Sequence, residues 1–389
     1  MAPLQAKLRA RIERLGLGLM PGRRDHEAVS AVIRPETCLV LLWLLWLSAA
    51  QVFGQMSRCT VYGRVVDAST GEPLALVNVF LSNTMIGTTT DREGFYRLGN
   101  IPLGSHELVV SMMGYKVQTV PLRFGAPSTT ELNFRLERRV LQLPAIQVEA
   151  PRARDWERNM AIFLREFLGQ TPNARRCQIT NPEYVDVVYD KASGMMTATA
   201  AEPLEIINRA LGYRIKTVLM EFSFGHGRCK YVVKPMFEEL EPRNEAERQE
   251  WARRRMEAYR GSFRHFYQAL VKFRLKEEGF FVGAVRSPGE RAYYAYVTRE
   301  SQQKLFSPGD FPGETKLHFG KYLQVVYHRE SDEFALTSTQ TSYLEALADT
   351  VIVYEPGYTG EEGDLIRYGR WAQDRMAEAL PFDYLPEGE

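Results

Sequence analysis

The chain has 389 residues, 45% of them hydrophobic and 25% charged, with a formal net charge of +1. That is a globular composition, long enough for two cores, and its charge balance provides no polybasic field for nucleic acid. From residue 57 onward no apolar run reaches the length of a membrane helix, and no low-complexity tract argues for disorder.

The first element is an uncharged apolar run, Cys38–Leu47, followed by the small residues Ser48, Ala49 and Ala50. It has the pattern of a signal-peptide h-region. Seven basic residues precede it (Lys7, Arg9, Arg11, Arg14, Arg23, Arg24, Arg34) against four acids (Glu13, Asp25, Glu27, Glu36), the positive n-region that export requires. This leader is long, and Met20 is an alternative start that keeps Arg23, Arg24 and Arg34. Cleavage after Gly54 makes residues 1–54 the signal peptide and Gln55 the new N-terminus, and takes the net charge from +1 to −2. The competing reading is an uncleaved anchor, for which the run is short. A lipid anchor on Cys59 is disfavoured because Arg58 before it is large and charged.

Between Thr60 and Leu136, short β runs alternate with turn clusters, the signature of a sandwich. Thr60–Val66 stops at Asp67–Pro73, and Leu76–Leu81 puts Val77, Val79 and Leu81 on one face. Gly87–Thr90 and Phe95–Leu98 flank the turn Asp91–Gly94, and Pro102–Gly104 leads into His106–Met112. With Lys116–Val120 and Thr130–Leu136 the count is seven strands. Gly94 and Gly104 stand where turns demand positive φ.

Gly63-Arg64-Val65-Val66-Asp67, Gly71-Glu72-Pro73-Leu74, Val77-Asn78-Val79, Gly87–Asp91, Gly94-x-Tyr96, Ile101-Pro102-x-Gly104 and Gly114-Tyr115 follow one another with family-like gaps over about eighty residues. Together they resemble the carboxypeptidase regulatory-like family. The resemblance implies a seven-stranded transthyretin-like or prealbumin-like β-sandwich at 57–138. It implies no catalysis, because in metallocarboxypeptidases this module supplies none of the zinc ligands. Leu141–Ala150, within a linker strand at 139–153, is similar to the stretch that joins the same module to the plug of TonB-dependent transporters. No barrel pattern follows it.

The region 154–389 reads as a mixed α+β domain, making the whole chain α+β. A helix over Arg154–Leu168 carries Trp156, Met160, Phe163, Leu164 and Phe167 at helical spacing. Tyr184–Tyr189, Met195–Ala200, Ile215–Phe224 and Lys230–Pro235 read as strands. One long helix is expected over Arg243–Glu277, with Met256, Tyr259, Phe263, Phe266, Leu270 and Phe273 on one face. Strands return from Gly279 to Val353, and a last helix is expected near Leu365–Leu380. Leu211–Ile215, Ala258–Phe266, Glu278-Gly279-Phe280 and Leu380–Tyr384 resemble exported Bacteroidetes proteins of the same two-part layout, which lends no mechanism.

A zinc carboxypeptidase needs His and Glu three apart plus a distant His. No histidine here has that neighbour; His226 has Cys229 at +3 with no second pair to complete a site. Neither H-E-x-x-H nor G-x-S-x-G occurs, so no catalytic, cofactor or metal residue is assigned. Tyr259, Gly261, Ser262, His265 and Phe266 form a candidate groove or a close packing contact, since Gly261 and His265 would share a helix face. Arg253, Arg254, Arg255 and Arg260 interleave with Trp251, Tyr259 and Phe266, but six acids among ten basic residues over Arg243–Glu278 favour a solvated face over nucleic acid. The acidic loop Glu361-Glu362-Gly363-Asp364 lacks the spaced oxygen ligands of a calcium loop. Of four cysteines, Cys38 leaves with the signal, and Cys177 with Cys229 is the candidate disulfide.

These readings point to a non-enzymatic binding or scaffold protein of a Gram-negative envelope, in the periplasm, at the outer membrane or on the cell surface. Its partner would be an envelope protein or glycan. The alternative is a hydrolase in the second domain, built from dispersed carboxylates or around His265. A deep polar cleft with perturbed acids would favour the enzyme, and flat apolar patches the binder.

Overall fold

A computed structural model describes residues 58–139, 150–290, 292, 298–328, 339–355, 357–359 and 365–386. The signal peptide 1–54 with its start and cleavage points, residues 140–149 of the linker strand expected at 139–153 and the acidic loop at 361–364 lie outside the described residues, and residues 150–153 of that linker are helical rather than extended. Among the described residues, no helix is long and apolar enough to cross a membrane. Residues Ser57–Glu389 form one compact unit, mostly strand with four helices.

The first part holds eight strands rather than seven: β1 (Arg58–Asp67), β2 (Asn78–Leu81), β3 (Gly87–Thr89), β4 (Phe95–Pro102), β5 (Gly104–Ser111), β6 (Gln118–Phe124), β7 (Thr129–Glu131) and β8 (Phe134–Leu136). One sheet is ordered β4-β1-β7 with β8 also on β1, the other β3-β2-β5-β6. The extra strand arises because the predicted run Thr130–Leu136 is interrupted at Leu132–Asn133, where the Leu132 carbonyl approaches Gly63 so closely that a β-carbon there would sit 1.8 Å from it. Alternating residues fill the core between the sheets, among them Val61, Val65, Val79, Leu98, Leu108 and Val110. Asp67, buried at the end of β1, accepts from Arg138 (2.9 Å), from the Ser69 and Thr70 backbone N–H groups and from the Tyr115 hydroxyl (2.9 Å). The arginine foremost, with the backbone donors, holds its carboxyl well below the usual carboxylate range.

Helix α1 (Ala150–Leu168) begins four residues before the predicted start, with Pro151 in its first turn, where a missing N–H is tolerated. Met160, Phe163, Phe167 and Leu168 pack on a six-stranded sheet made of β9 (Cys177–Ile179), β10 (Val185–Asp190), β11 (Met195–Ala200), β12 (Leu204–Asn208), β13 (Tyr213–Gly225) and β14 (Arg228–Glu239). β13 pairs β11 and β12 in turn on one side and β14 on the other.

The expected helix over Arg243–Glu277 is two helices, α2 (Glu245–Tyr259) and α3 (Phe263–Val271). Arg260 is extended, Gly261 takes φ +74°, and the Ser262 side chain caps α3 by accepting the His265 N–H (3.2 Å). That is a glycine stop followed by a serine start. On α2 Arg253 pairs with Glu250 and Glu257 and Arg254 with Glu250, Arg243 reaches Glu247 from just before the helix, and Arg255 pairs with Glu239 of β14.

Helix α3 packs into a third core with β15 (Phe280–Val285), β18 (Tyr322–His328), β19 (Thr339–Ala346) and β22 (Leu365–Gly369), paired in that order. A fourth group comprises β16 (Phe306–Pro308), β17 (Glu314–Leu317), β20 (Val351–Tyr354) and β21 (Tyr358–Thr359), with the short helix α4 (Arg299–Gln302) preceding it. The expected terminal helix Leu365–Leu380 is instead strand β22 and two single 3-10 turns, Arg370–Gln373 and Met376–Glu378. Gly369, at φ +70°, makes the break, and a β-carbon there would meet the Thr341 carbonyl oxygen at 2.4 Å.

Candidate functional site

The sequence-derived cluster divides in two. His265 is buried, and its Nδ1 accepts the Gly261 backbone N–H (3.0 Å), which leaves Nε2 to carry the proton toward Glu278 (3.3 Å). Phe280 and Tyr327 pack edge-on against its ring, at 4.8 and 5.7 Å. A β-carbon on Gly261 would fall 2.5 Å from the Tyr327 ring, and the Gly261 carbonyl accepts the Trp371 indole N–H at 2.7 Å. Gly261, His265 and Phe266 therefore belong to the interior of the third core. Tyr259, buried with its ring 5.0 Å from that of His265, and Ser262 also line a cleft.

That cleft, about 1190 Å³, lies where the sandwich, β14, α3 and the C-terminal segment meet. The sandwich contributes Ser82–Thr84, the β4–β5 turn and Arg123; β14 contributes Tyr231 and Val233–Pro235; the far wall is Arg367 with Asp374–Met376. Its rim is tied by backbone groups: Asn83 N–H to Pro235 O (2.6 Å) and Phe237 N–H to Thr84 O (3.0 Å) join a sandwich loop to the edge of β14. Arg264 donates to the carbonyls of Pro381 (2.8 Å), Phe382 (3.0 Å) and Tyr384, while Phe382 N–H donates to Asn83 O (2.7 Å). The Asp383 carboxylate accepts the Met85 N–H at 3.1 Å. The closing Leu380–Tyr384 stretch is thus a clasp between α3 and the sandwich.

Most polar side chains of the cleft are committed to such bonds. His106 Nε2 lies 2.9 Å from Pro102 O, with burial lowering its pKa. Glu107 pairs with Lys234 at 3.0 Å, and Glu378 accepts from Thr171 and from Asn173 (2.8 Å). Asp374 pairs with Arg370, yet burial outweighs that pull and pushes its pKa up to about 6. Arg367 and Arg375 differ from these. Arg367 lies 4.3 Å over the Phe263 ring and Arg375 5.9 Å over Tyr231, and among the described residues neither guanidinium makes a hydrogen bond or ion pair. Of these cleft residues only Tyr259 and Ser262 are site candidates from sequence; Phe382 and Asp383 stand out only through the resemblance of Leu380–Tyr384, and nothing in local spacing joins β4–β5, β14 and residues 367–383.

The three described cysteines are free thiols, so the Cys177–Cys229 bridge is not formed. Cys177 Sγ points to the Asn173 carbonyl (3.4 Å) and Cys229 Sγ to the Glu166 carbonyl (3.8 Å), both against the second core. Burial pushes their thiols up to about 12 and about 11, which leaves them protonated and inert. His226, whose spacing to Cys229 completes no metal site in the sequence, sits at φ +52° in the β13–β14 turn with Nε2 3.2 Å from the Ser193 carbonyl.

No curated protein is significantly similar to the chain. Among solved structures, the type II cohesin–X–dockerin complex of Acetivibrio cellulolyticus matches at 21% identity over 20% of this chain and 52% of that one, with a TM-score of 0.17. A minor pilin of Streptococcus agalactiae matches at 17% identity over 22% of this chain and 46% of that one, with a TM-score of 0.18. A putative carbohydrate-binding protein of Bacteroides uniformis matches at 7% identity over 76% and 98% of the two chains, with a TM-score of 0.18. The chain spans about half the length of the first two, and likenesses this distant carry no argument. The family comparison is specific to the first part: residues 61–148 match the model described as the CarboxypepD_reg-like domain, so the β1–β8 sandwich is a carboxypeptidase regulatory-like domain.

Proposed function

We propose that this protein is a non-enzymatic binding protein of the bacterial envelope, exported through a signal peptide at 1–54. In this reading its regulatory-like sandwich and the region after residue 153 form opposite walls of one ligand cleft. The observation that carries the reading is the cleft itself: about 1190 Å³, with Glu107 and Asp383 joining its walls, His106 and Glu378 bonded within them, and two guanidiniums that present unused donors among the described residues. Clefts with a few convergent polar groups are the usual form of ligand sites. Thermal-shift and calorimetric screening of the full chain against envelope glycans and peptides tests it. Leu103→Trp, which fills the cleft from the sandwich side, should abolish any binding found. Binding that survives this substitution would place the ligand elsewhere.

One observation favours the competing hydrolase. Asp374, with its pKa near 6, is an acid poised to give up a proton near neutrality, and Glu378 four residues on lies close enough to raise it. Turnover of an envelope glycan or peptide by the purified protein, lost in Asp374→Asn while binding persists, would establish that reading instead.

A further inference from the structure

Strand β14 is an edge strand over part of its length. Pro235 O accepts from Asn83 and Phe237 N–H donates to Thr84 O, so these residues turn their backbone groups away from β13. Pro235 sits at such an outward position, where a missing N–H breaks no ladder bond. By the alternation of an antiparallel ladder, Val233 and Tyr231 turn outward as well. Among the described residues their outward N–H and C=O groups take no partner, and both residues line the cleft. The segment Asn83–Thr84 already occupies the adjoining stretch of the same edge, with Thr84 in a parallel bridge to Met236.

Beside this open edge stand Arg367 and Arg375, half-buried, braced on Phe263 and Tyr231 and, among the described residues, without a carboxylate at ion-pair distance; Asp374, itself paired with Arg370, acts on Arg367 only from farther off. Burial raises the pKa of the Tyr231 phenol against the pull of Arg375 and Arg367, and among the described residues its hydroxyl has no hydrogen-bond partner. Arg367 is enclosed deeply enough for burial to lower its pKa. A buried cation without a counter-ion is costly, and the planar guanidinium fork is the group best matched to a carboxylate. Arg367 and Arg375 line the cleft with Asp374 and Glu378, and Arg370, outside the lining, pairs with Asp374; three arginines then stand against two carboxylates on this segment, so one negative charge balances it. That count suits a single carboxylate better than a dianionic phosphate.

We infer that the cleft takes an extended peptide, which adds a strand to the free edge of β14 at Tyr231–Val233 and places one carboxylate on Arg367 and Arg375. This rests on the cleft being a ligand site and names the class of its ligand. Unpaired edge groups call for main-chain hydrogen bonding, which a polypeptide supplies and a glycan does not. Affinity would come from the backbone ladder, and selectivity from the carboxylate.

The test uses the full chain and a fluorescent hexapeptide of alternating threonine and valine with a free C-terminal carboxylate, its C-terminal amide, and a galacturonate trisaccharide. The free-acid peptide should bind at least tenfold more tightly than the amide. Arg367→Gln and Arg375→Gln should each remove that preference, and Val233→Pro should abolish peptide binding with the thermal midpoint nearly unchanged, because its N–H lies outside the ladder. Galacturonate binding that depends on Arg367 but ignores Val233→Pro would overturn the peptide assignment and leave the ligand cleft standing. If none of the three probes binds, the peptide assignment falls; if the glycan and peptide screen with Leu103→Trp is also blank, the cleft reading falls with it.

Discussion

At the scale of single residues, Asp374 shows how position overrides composition. Its carboxyl is pushed up to about 6 from an ordinary 3.8 by burial, against the attraction of Arg370. For an acid raised in this way, the folded state binds the proton more tightly than the unfolded chain. Stability therefore falls as pH rises from about 4 to about 6 and levels off above. A shift of about two units corresponds to about 3 kcal/mol. Relative to the parent protein, Asp374→Asn should thus gain up to about 3 kcal/mol between pH 4 and pH 7. Urea melts at the two values measure this, and an equal difference at both would show that the carboxyl is not perturbed. Such a residue is invisible in sequence, because Asp374 looks like any acid before a basic residue. The cysteines teach the same lesson from the other side. Their strand-start positions looked suited to a bridge, and only the fold shows each thiol turned to a different carbonyl.

At the scale of elements, the sandwich was the legible part. Its turn residues have local conformational tasks: Asp91 accepts the Glu93 and Phe95 N–H groups (3.1 and 2.8 Å) and Gly94 takes φ +81°. The second half misled where apolar spacing ran on across a break. Tyr259, Phe263 and Phe266 keep a helical period because both helices bury residues, yet the Gly261-Ser262 pair between them is a stop and a start. Likewise Leu365, Tyr368, Trp371 and Met376 mimic a helix although a strand and two tight turns carry them. The break at Gly261 is testable. Gly261→Ala adds a methyl 2.5 Å from the Tyr327 ring on a residue at φ +74°, and the strain and overpacking should cost about 2–4 kcal/mol. A change below about 0.5 kcal/mol in a denaturant melt would mean that the interhelix turn relaxes freely, as substitutions on an open surface do.

For the whole molecule, the cleft and the clasp were unreadable because their parts come from remote stretches: Met85 and Asp383 are 298 positions apart. The motif Leu380–Tyr384 drew notice only by resemblance, and its physical task is to seat on Arg264 and the Asn83–Met85 loop. Arg264→Met keeps the length of the side chain but strips its donors from three carbonyls, and should destabilise the protein by about 3 kcal/mol. It should also speed amide exchange at Phe382, whose N–H depends on the clasp. Unchanged exchange there would show that the C-terminal segment is held without Arg264. The clasp has a further consequence in time. Chains emerge from their N-terminus and domains fold as units during synthesis, so the sandwich is complete long before residues 381–384 exist. Its loop at Asn83–Met85 must wait for partners that arrive last, and closing so long a loop is slow. Refolding of the intact chain should therefore end in a late phase that Arg264→Met alters, whereas the sandwich should gain its structure early, so the order of assembly follows from a bond between the first and last parts of the fold.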